Sequence, residues 1–181
     1  RQLWVGPDPD VPVYENLLHS AARDGTRVRH FIAGDTFRFG GISFRVLAPA
    51  RDYHPGKTPS NNDSLVLQLR YRKTTALLEG DAESPSEARM VAEGNLHSDV
   101  LKVGHHGSKT STTPAFLAAV SPSFSAISVG RRNFYGHPAH QVLERLQSAH
   151  VHTYLTDTEG LSSFYLDGKH VRAVAWPESK H

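Results

Sequence analysis

The spacing of apolar residues along the chain alternates between a helical and a strand-like period, which predicts a mixed α/β protein. Short strands separated by glycine and proline turns dominate before residue 80. Strands then alternate with helices, the order typical of a sheet covered by helices. The predicted strands are residues 28–32, 36–39, 42–47, 64–71, 74–79, 100–103, 124–129, 151–155, 161–166 and 170–174, and the predicted helices are residues 14–22, 84–93, 114–120 and 138–149.

The start of one helix is marked by local sequence. Ser84-Pro85-Ser86-Glu87 has the pattern of a capping box with proline at the first helical position, so Ser84 is predicted to cap the helix over 84–93. No linker, internal repeat or long charge run divides the chain, which is therefore interpreted as one domain or a large part of one.

Polar clusters follow several of the predicted strands. Gly80-Asp81 follows strand 74–79, Gly104-His105-His106-Gly107-Ser108 follows strand 100–103, and Tyr135-Gly136-His137-Pro138 precedes the last helix. If strands 64–71 and 74–79 pair antiparallel, Asn61-Asn62-Asp63 lies beside Asp81. Because functional groups collect at the carboxyl ends of strands in α/β sheets, these clusters predict one site at one edge.

Composition narrows the chemistry of that site. The 181 residues include 12 histidines and no cysteine, which excludes disulfides, thiolate zinc sites and cysteine nucleophiles. A net charge of +2 is too small to indicate nucleic-acid binding by overall field alone, and no apolar run is long enough to span a bilayer. Histidine and carboxylate side chains therefore remain the candidate chemical groups.

A carboxylate combined with several imidazoles favours hydrolysis at a divalent metal, zinc or manganese. The candidate metal ligands are Asp81, His105 and His106, and the candidate catalytic residues are Asp81, His106 and His137. Simpler interpretations stay open: Asp81 as a cap of the helix at Ser84, the two adjacent histidines as solvated loop residues, and His137 as the cap of the last helix.

The loop after the double histidine is rich in hydroxyl groups and contains one lysine. Such groups near a metal suit a phosphate oxyanion, although the loop also fits a cap of the helix at Pro114. The basic and aromatic residues before His137 fit either a phosphate and base contact or a solvated turn. The candidate phosphate or DNA contacts are Asn62, Ser108, Lys109, Thr110 and Arg131.

Five motifs carry a resemblance to a known family: Asn61–Leu67, Leu78–Asp81, Leu101–Ser111, Asn133–Pro138 and Thr156–Gly160. In these motifs the sequence resembles the soluble metallo-β-lactamase-type domain of the ComEC family, the bacterial competence channel that takes up DNA. The resemblance implies an αββα sandwich, one or two metal ions and hydrolysis of the DNA strand that is not imported. It also implies a domain on the extracytoplasmic side of a membrane, joined to the channel portion of the same polypeptide.

Residue by residue, the resemblance makes Asp81 the metal-bridging aspartate. One of His105 and His106 becomes a metal ligand, and His137 becomes a ligand or a contact of the scissile phosphate. Asn61 or Asn62 stands where other members of the superfamily place a ligand histidine.

One diagnostic element of the superfamily, His-x-His-x-Asp-His, is missing from the sequence. The chain is therefore expected to be the C-terminal two thirds of the fold, with residues 1–60 as a middle segment and loop and residues 61–175 as the metal-site half. The chain alone is expected to hold metal weakly, to be a feeble catalyst and to expose apolar surface.

The leading functional hypothesis is a DNA nuclease that acts in DNA uptake during natural transformation. Two alternatives are a hydrolase of another ester or small phosphodiester, because a fold does not fix a substrate, and a non-catalytic DNA-binding or channel-associated module.

Overall fold

The computed structural model describes residues 1–176, a range that includes the predicted metal-site half over residues 61–175. No helix among these residues is long and apolar enough to cross a bilayer. The elements are β1 (Gln2–Val5), α1 (Pro12–Arg23), β2 (Arg27–His30), β3 (Thr36–Phe39), β4 (Ile42–Ala48), β5 (Val66–Tyr71), β6 (Thr74–Leu78), α2 (Ser84–Glu93), β7 (Val100–Lys102), α3 (Pro114–Val120), β8 (Phe124–Ile127), α4 (His140–Ser148), β9 (His152–Leu155), α5 (Thr156–Glu159), β10 (Leu161–Leu166) and β11 (Val171–Trp176).

A seven-stranded sheet in the order β3-β4-β5-β6-β7-β8-β9 forms the centre of the molecule. Strands β3 to β6 pair antiparallel, with hairpin turns between β3 and β4 and between β5 and β6, and β6 to β9 pair parallel through helical crossovers. The predicted hairpin of β5 and β6 is confirmed, with Leu67 opposite Leu78. The sheet therefore joins an antiparallel half to a parallel half.

Helices α2, α3 and α4 cover one face of the parallel half, which we call the outer face. Alternate strand residues project into this layer, and Leu77, Leu101 and Ile127 are fully buried there against Phe116 of α3 and Leu146 of α4. At about 25 cal/mol per Å² of apolar surface removed from water, this layer is the main source of stability.

The opposite, inner face is covered by two small sheets. The parallel pair β1 and β2 contributes Trp4, whose ring meets Phe37 and Phe44 edge to face at centroid distances of 4.7 and 5.2 Å. The antiparallel pair β10 and β11 contributes Phe164, which packs edge to face on Tyr154 of β9. Helix α1 packs on β2, so the layers follow the order αββα, as predicted.

Two predictions about helix starts are wrong. Ser84 is the first helical residue of α2 rather than its cap, and Glu87 does not reach back to form a capping box. Instead the Glu87 side chain is fully buried and accepts hydrogen bonds from the backbone of Thr112 and Thr113. Helix α4 begins at His140 rather than at residue 138, with Ala139 at the cap position.

Candidate functional site

The four polar clusters meet at the carboxyl edge of β6 and β7, as predicted. The hydroxyl of Ser64, just after Asn61-Asn62-Asp63, accepts a hydrogen bond from the Asp81 backbone at 3.0 Å. The His105 backbone donates to the Gly80 carbonyl at 3.0 Å, and the rings of His105 and His137 lie 5.6 Å apart. Topology therefore brings together residues that are up to 76 positions apart in sequence, from Asn61 to His137.

His106 is held in one orientation beside Asp81. Its Nδ1 lies 2.6 Å from the Ser128 carbonyl oxygen, which can only accept, so Nδ1 carries a proton and Nε2 is the nitrogen turned toward Asp81. That Nε2 lies 3.6 Å from Oδ1 of Asp81, and both side chains are nearly half exposed. The geometry favours His106 over His105 as the partner of Asp81, a choice that the sequence left open.

His105 faces a different carboxylate. Its Nδ1 lies 3.2 Å from Oε1 of Glu83, a residue that sequence analysis missed. Thr110 and Asn61 also donate to Glu83, and these bonds together with the His105 ring lower the pKa of the Glu83 carboxyl, with the Thr110 bond contributing most. The signal for Glu83 was its position two residues after Asp81, in the same loop.

Both histidines lie in a tight turn with positive backbone φ, 44° for His105 and 55° for His106. Two successive non-glycine residues in this region are unusual and occur where surrounding contacts impose the conformation. The turn directs the neighbouring rings to different partners, which explains why one histidine meets Asp81 and the other meets Glu83.

Two fully buried glutamates, Glu79 and Glu87, form a carboxyl pair next to the turn of the two histidines. Glu79 accepts a hydrogen bond from the Gly104 backbone at 2.9 Å, and a Cβ on Gly104 would lie only 2.5 Å from the Glu79 carboxyl carbon. Burial, followed by the contact with Glu87, raises the pKa of Glu79 well above its usual value. The other Glu79 oxygen, Oε1, is buried and has no hydrogen-bond partner, and the raised pKa favours the protonated, uncharged carboxyl of Glu79.

His137 is positioned by its own loop. Asn133 accepts from its backbone N–H at 3.0 Å and donates to its carbonyl at 2.7 Å, while the Tyr135 ring lies parallel to the imidazole at 6.0 Å. Partial burial, followed by the nearby charges of His105 and His106, lowers the pKa of His137. The neutral imidazole is therefore the favoured form, and it can accept a proton.

Three of the predicted phosphate contacts are occupied with structural hydrogen bonds. Asn62 accepts from the Glu83 backbone at 3.1 Å, Thr110 donates to the Glu83 carboxylate at 2.7 Å, and Ser108 and Thr110 lie 2.9 Å apart. These groups order Glu83 in this structure. Thr113 caps α3 by accepting from the Phe116 backbone, as the simpler interpretation of this loop predicts.

The basic and aromatic side chains lie at the rim of the site. Lys109 is exposed, and Arg131 donates to the Asp157 carbonyl at 2.9 Å. Phe134 and Tyr135 are fully or largely exposed, at 103% and 84% of their reference areas. Large aromatic rings are costly to leave in water, so this rim is suited to contact with another molecule.

Asp81 and His106 fit two positions of a divalent ion. Ligands at about 2.1 Å from a tetrahedral ion are separated by roughly 3.4 Å, close to the observed 3.6 Å. The Ser128 carbonyl supplies the second hydrogen bond that a metal-binding imidazole normally makes. Within residues 1–176, however, no three histidine, aspartate or glutamate side chains are close enough together to hold one ion.

Sequence comparison finds competence proteins. The chain is 35% identical over 150 residues to ComE operon protein 3 of Bacillus subtilis (strain 168), 34% over 143 residues to Competence protein ComA of Neisseria gonorrhoeae, and 37% over 136 residues to Recombination protein 2 of Haemophilus influenzae. These alignments cover 82%, 78% and 75% of this chain but only 19%, 20% and 17% of the relatives. The chain thus spans about a fifth of the length of the proteins it matches. No family model matches it.

Structural comparison finds the same overall fold in distant proteins. The metallo-beta-lactamase fold protein YhfI from Bacillus subtilis matches 96% of this chain, and the chain covers 66% of YhfI, with a TM-score of 0.53 and 8% identity. The CmlA beta-hydroxylase E377D mutant matches 97% of this chain, which covers 39% of it, with a TM-score of 0.56 and 12% identity. At this level of identity the likeness concerns the fold alone.

Proposed function

The chain belongs to the ComEC family, as a homologue of one segment of those proteins with the metallo-β-lactamase fold, and on this premise we propose that it is a metal-dependent phosphodiester hydrolase acting on DNA during uptake. The observation that carries the proposal is the pair of Asp81 and His106, anchored by Ser128 at the carboxyl edge of the sheet. Carboxylate and imidazole donors suit zinc or manganese.

Asp81 and His106 would hold the ion. When bound, such an ion supplies Lewis acidity and a water that deprotonates near neutral pH. The protein's own side chains supply the other roles. Neutral His137 accepts a proton at the site, and the Glu83 carboxylate holds the His105 ring near His137. Exposed Lys109 lies on the loop beside them, where its ammonium group can attract a phosphate oxygen.

The rim favours a flexible strand as substrate. Phe134 and Tyr135 are exposed beside His137, and unpaired bases stack on such rings with little dependence on sequence. A single strand exposes its base faces, whereas a duplex hides them. The proposal therefore includes a single-stranded DNA substrate. From the similarity to the ComEC family it also includes an extracytoplasmic location and a channel portion of the same polypeptide as partner.

Cleavage and metal binding test the proposal separately. We expect the chain to cut a fluorescently labelled single-stranded oligonucleotide with Mn²⁺ or Zn²⁺ and not in EDTA. Asp81→Ala and His106→Ala should each reduce the rate at least about tenfold, because each removes a donor to the ion. The same ions should raise the melting temperature of the unaltered chain and not that of the two variants.

The matched controls are Asp10→Ala and His19→Ala, which alter exposed residues of the same types outside the site. If the control variants lose as much activity as the site variants, or if metal stabilises the Asp81→Ala chain fully, the proposed site is wrong. Faster turnover of a small phosphodiester than of the oligonucleotide would instead support the hydrolase of another substrate.

A non-catalytic DNA-binding module remains the second candidate, because no group of three histidine or acidic side chains among the described residues could hold one metal ion. This function predicts DNA binding that falls with salt concentration, is unchanged by EDTA and is accompanied by no cleavage.

A further inference from the structure

The outer face of the antiparallel half carries a basic surface that the proposed site does not use. The strand register places Arg38, Ser43 and Arg70 in one row across β3, β4 and β5. Thr36, Arg45 and Gln68 form the adjacent row. Neighbouring strands lie about 4.8 Å apart and alternate residues on one strand about 7 Å apart, so three guanidinium groups are concentrated on a small area.

These two rows, together with Phe37, Phe44 and Asn95, line an open groove of about 620 Å³. We call it the arginine groove and define it by Arg38, Arg45, Arg70, Gln68 and Asn95. No carboxylate lines it; Glu93 influences Arg45 from outside the lining. Its polar groups are hydrogen-bond donors or hydroxyl and amide groups, the set that phosphate oxygens accept from.

Arg45 lies at the centre of the groove and has a hydrogen-bond donor that no other residue uses. One of its terminal nitrogens donates to the Asn95 carbonyl, while its Nε is buried and has no hydrogen-bond partner. Partial burial and the charge of Arg70 lower the pKa of Arg45, against the effect of Glu93. Crowding like charges in this way is unfavourable, and a bound anion would relieve it.

We propose that the arginine groove binds the phosphodiester backbone of single-stranded nucleic acid at a surface separate from the Asp81 and His106 site. Three cations spread over three strands match a chain of phosphates better than a single phosphate ion. Phe37 and Phe44 also line the groove, but their rings pack against Trp4 on the inner face, so the outward rows lack the exposed apolar anchors of a membrane-binding face.

The groove and the proposed active site lie at opposite ends of β5. Residues 61–63 precede β5 and reach the site, whereas Arg70 is near the other end of the strand. Seven residues of extended chain separate Asp63 from Arg70, which corresponds to roughly 23 Å. A strand bound in the groove is therefore held away from the site without blocking it, so the groove acts as a second contact on the same molecule.

Fluorescence anisotropy of a labelled oligothymidylate of about 16 nucleotides tests the proposal. EDTA is present throughout, so that binding is measured whether or not the chain hydrolyses DNA. The test variant is Arg38→Gln/Arg70→Gln, since both side chains are exposed and their loss leaves the hydrogen bond from Arg45 to the Asn95 carbonyl in place. The matched control is Arg23→Gln/Arg27→Gln, which removes the same charge from exposed positions of α1 and β2.

We expect the test variant to bind roughly 10- to 30-fold more weakly than the unaltered chain at about 0.1 M salt, and the slope of log affinity against log salt to fall by about 1.4. The control should change both quantities by less than about threefold and 0.5. Equal losses in the two variants would mean that binding follows net charge alone and would overturn the proposal.

Binding to vesicles that contain phosphatidylserine tests the alternative that the arginine groove binds a membrane surface. If the vesicles bind and lose binding in the test variant while the oligonucleotide does not, the groove is a membrane contact and the proposal is wrong. Oligonucleotide binding that depends on Arg38 and Arg70 supports it, whatever the cleavage assay shows.

Discussion

The two halves of the outer face of the central sheet differ in what covers them. On the parallel half, Leu77, Leu101 and Ile127 are fully buried under helices. On the antiparallel half, equivalent outward positions of neighbouring strands are taken by Arg38 and Arg70, which are exposed. One continuous sheet thus presents an apolar core at one end and a cationic groove at the other.

Connectivity explains the difference. Parallel neighbours require a crossover of a dozen or more residues, and the helices in those crossovers lie on the sheet and exclude water. Antiparallel neighbours need no such crossover: a short turn at Gly40 and Gly41 joins β3 to β4, and the longer connection over residues 49–65 between β4 and β5 contains no α-helix. A face left uncovered in this way is available for polar side chains and hence for ligand binding.

The largest effect of a substitution on stability is expected in the parallel half, which the helices cover. Leu101→Ala should lower the free energy of unfolding by about 3 kcal/mol, because Leu101 is 0% exposed and its truncation leaves a cavity between the sheet and the helices. Urea unfolding followed by circular dichroism measures the change. A loss below about 1 kcal/mol would mean that this layer is loosely packed, and the contrast between the two halves would weaken.

The second effect concerns the buried carboxyl pair, which joins the covered core to the site. Glu87→Gln should cost about 2 kcal/mol, since a glutamine oxygen replaces only one of the two acceptors used by the backbone of Thr112 and Thr113. Glu79→Gln is the matched control. Its amide oxygen can still accept from Gly104, and its uncharged NH₂ group takes the place of the second oxygen of the protonated Glu79 carboxyl.

The pH dependence of the free energy of unfolding tests the protonation of Glu79 directly. Because the pKa of Glu79 is raised by burial and by Glu87, the folded chain retains a proton that the unfolded chain releases above about pH 4.5. The unaltered chain should therefore lose stability as pH rises from about 5 to 8, and Glu79→Gln should lose less. Urea unfolding of both proteins at about pH 5 and pH 8 measures this difference. If the free energy of unfolding changes with pH equally in the unaltered chain and in Glu79→Gln, Glu79 is ionised in the folded chain.

Much of this organisation could be predicted from the sequence, because strand ends and hairpins follow local rules. The convergence of Asp81, His105 and His137 follows from topology once the strands are known. The partners of the two histidines were not predictable, since they depend on a turn with positive φ at both residues. The role of Glu87 was missed for a related reason: its local capping pattern competes with a buried contact 25 residues away, and the buried contact prevails.

The arginine groove also escaped sequence analysis. Its three arginines lie on three different strands whose alternation of apolar and polar residues is ordinary. Only the register, which pairs Arg38 with Ser43 and Ser43 with Arg70, places the charges side by side. Overall net charge gave no indication, because +2 averages over the groove and the acidic residues elsewhere.

The smallest effect on stability is expected in the uncovered half. Arg70→Leu should change the free energy of unfolding by less than about 0.5 kcal/mol, because an exposed strand residue has few packed neighbours to lose. Removing the charge also relieves its repulsion of Arg45, which offsets part of the cost of exposing an apolar side chain. Urea unfolding at low and high salt measures both contributions, and the relief of repulsion should shrink as salt screens the charges. A loss above about 1 kcal/mol would show that Arg70 holds the fold together, in which case the groove would be a structural element and its charge would not be available to a ligand.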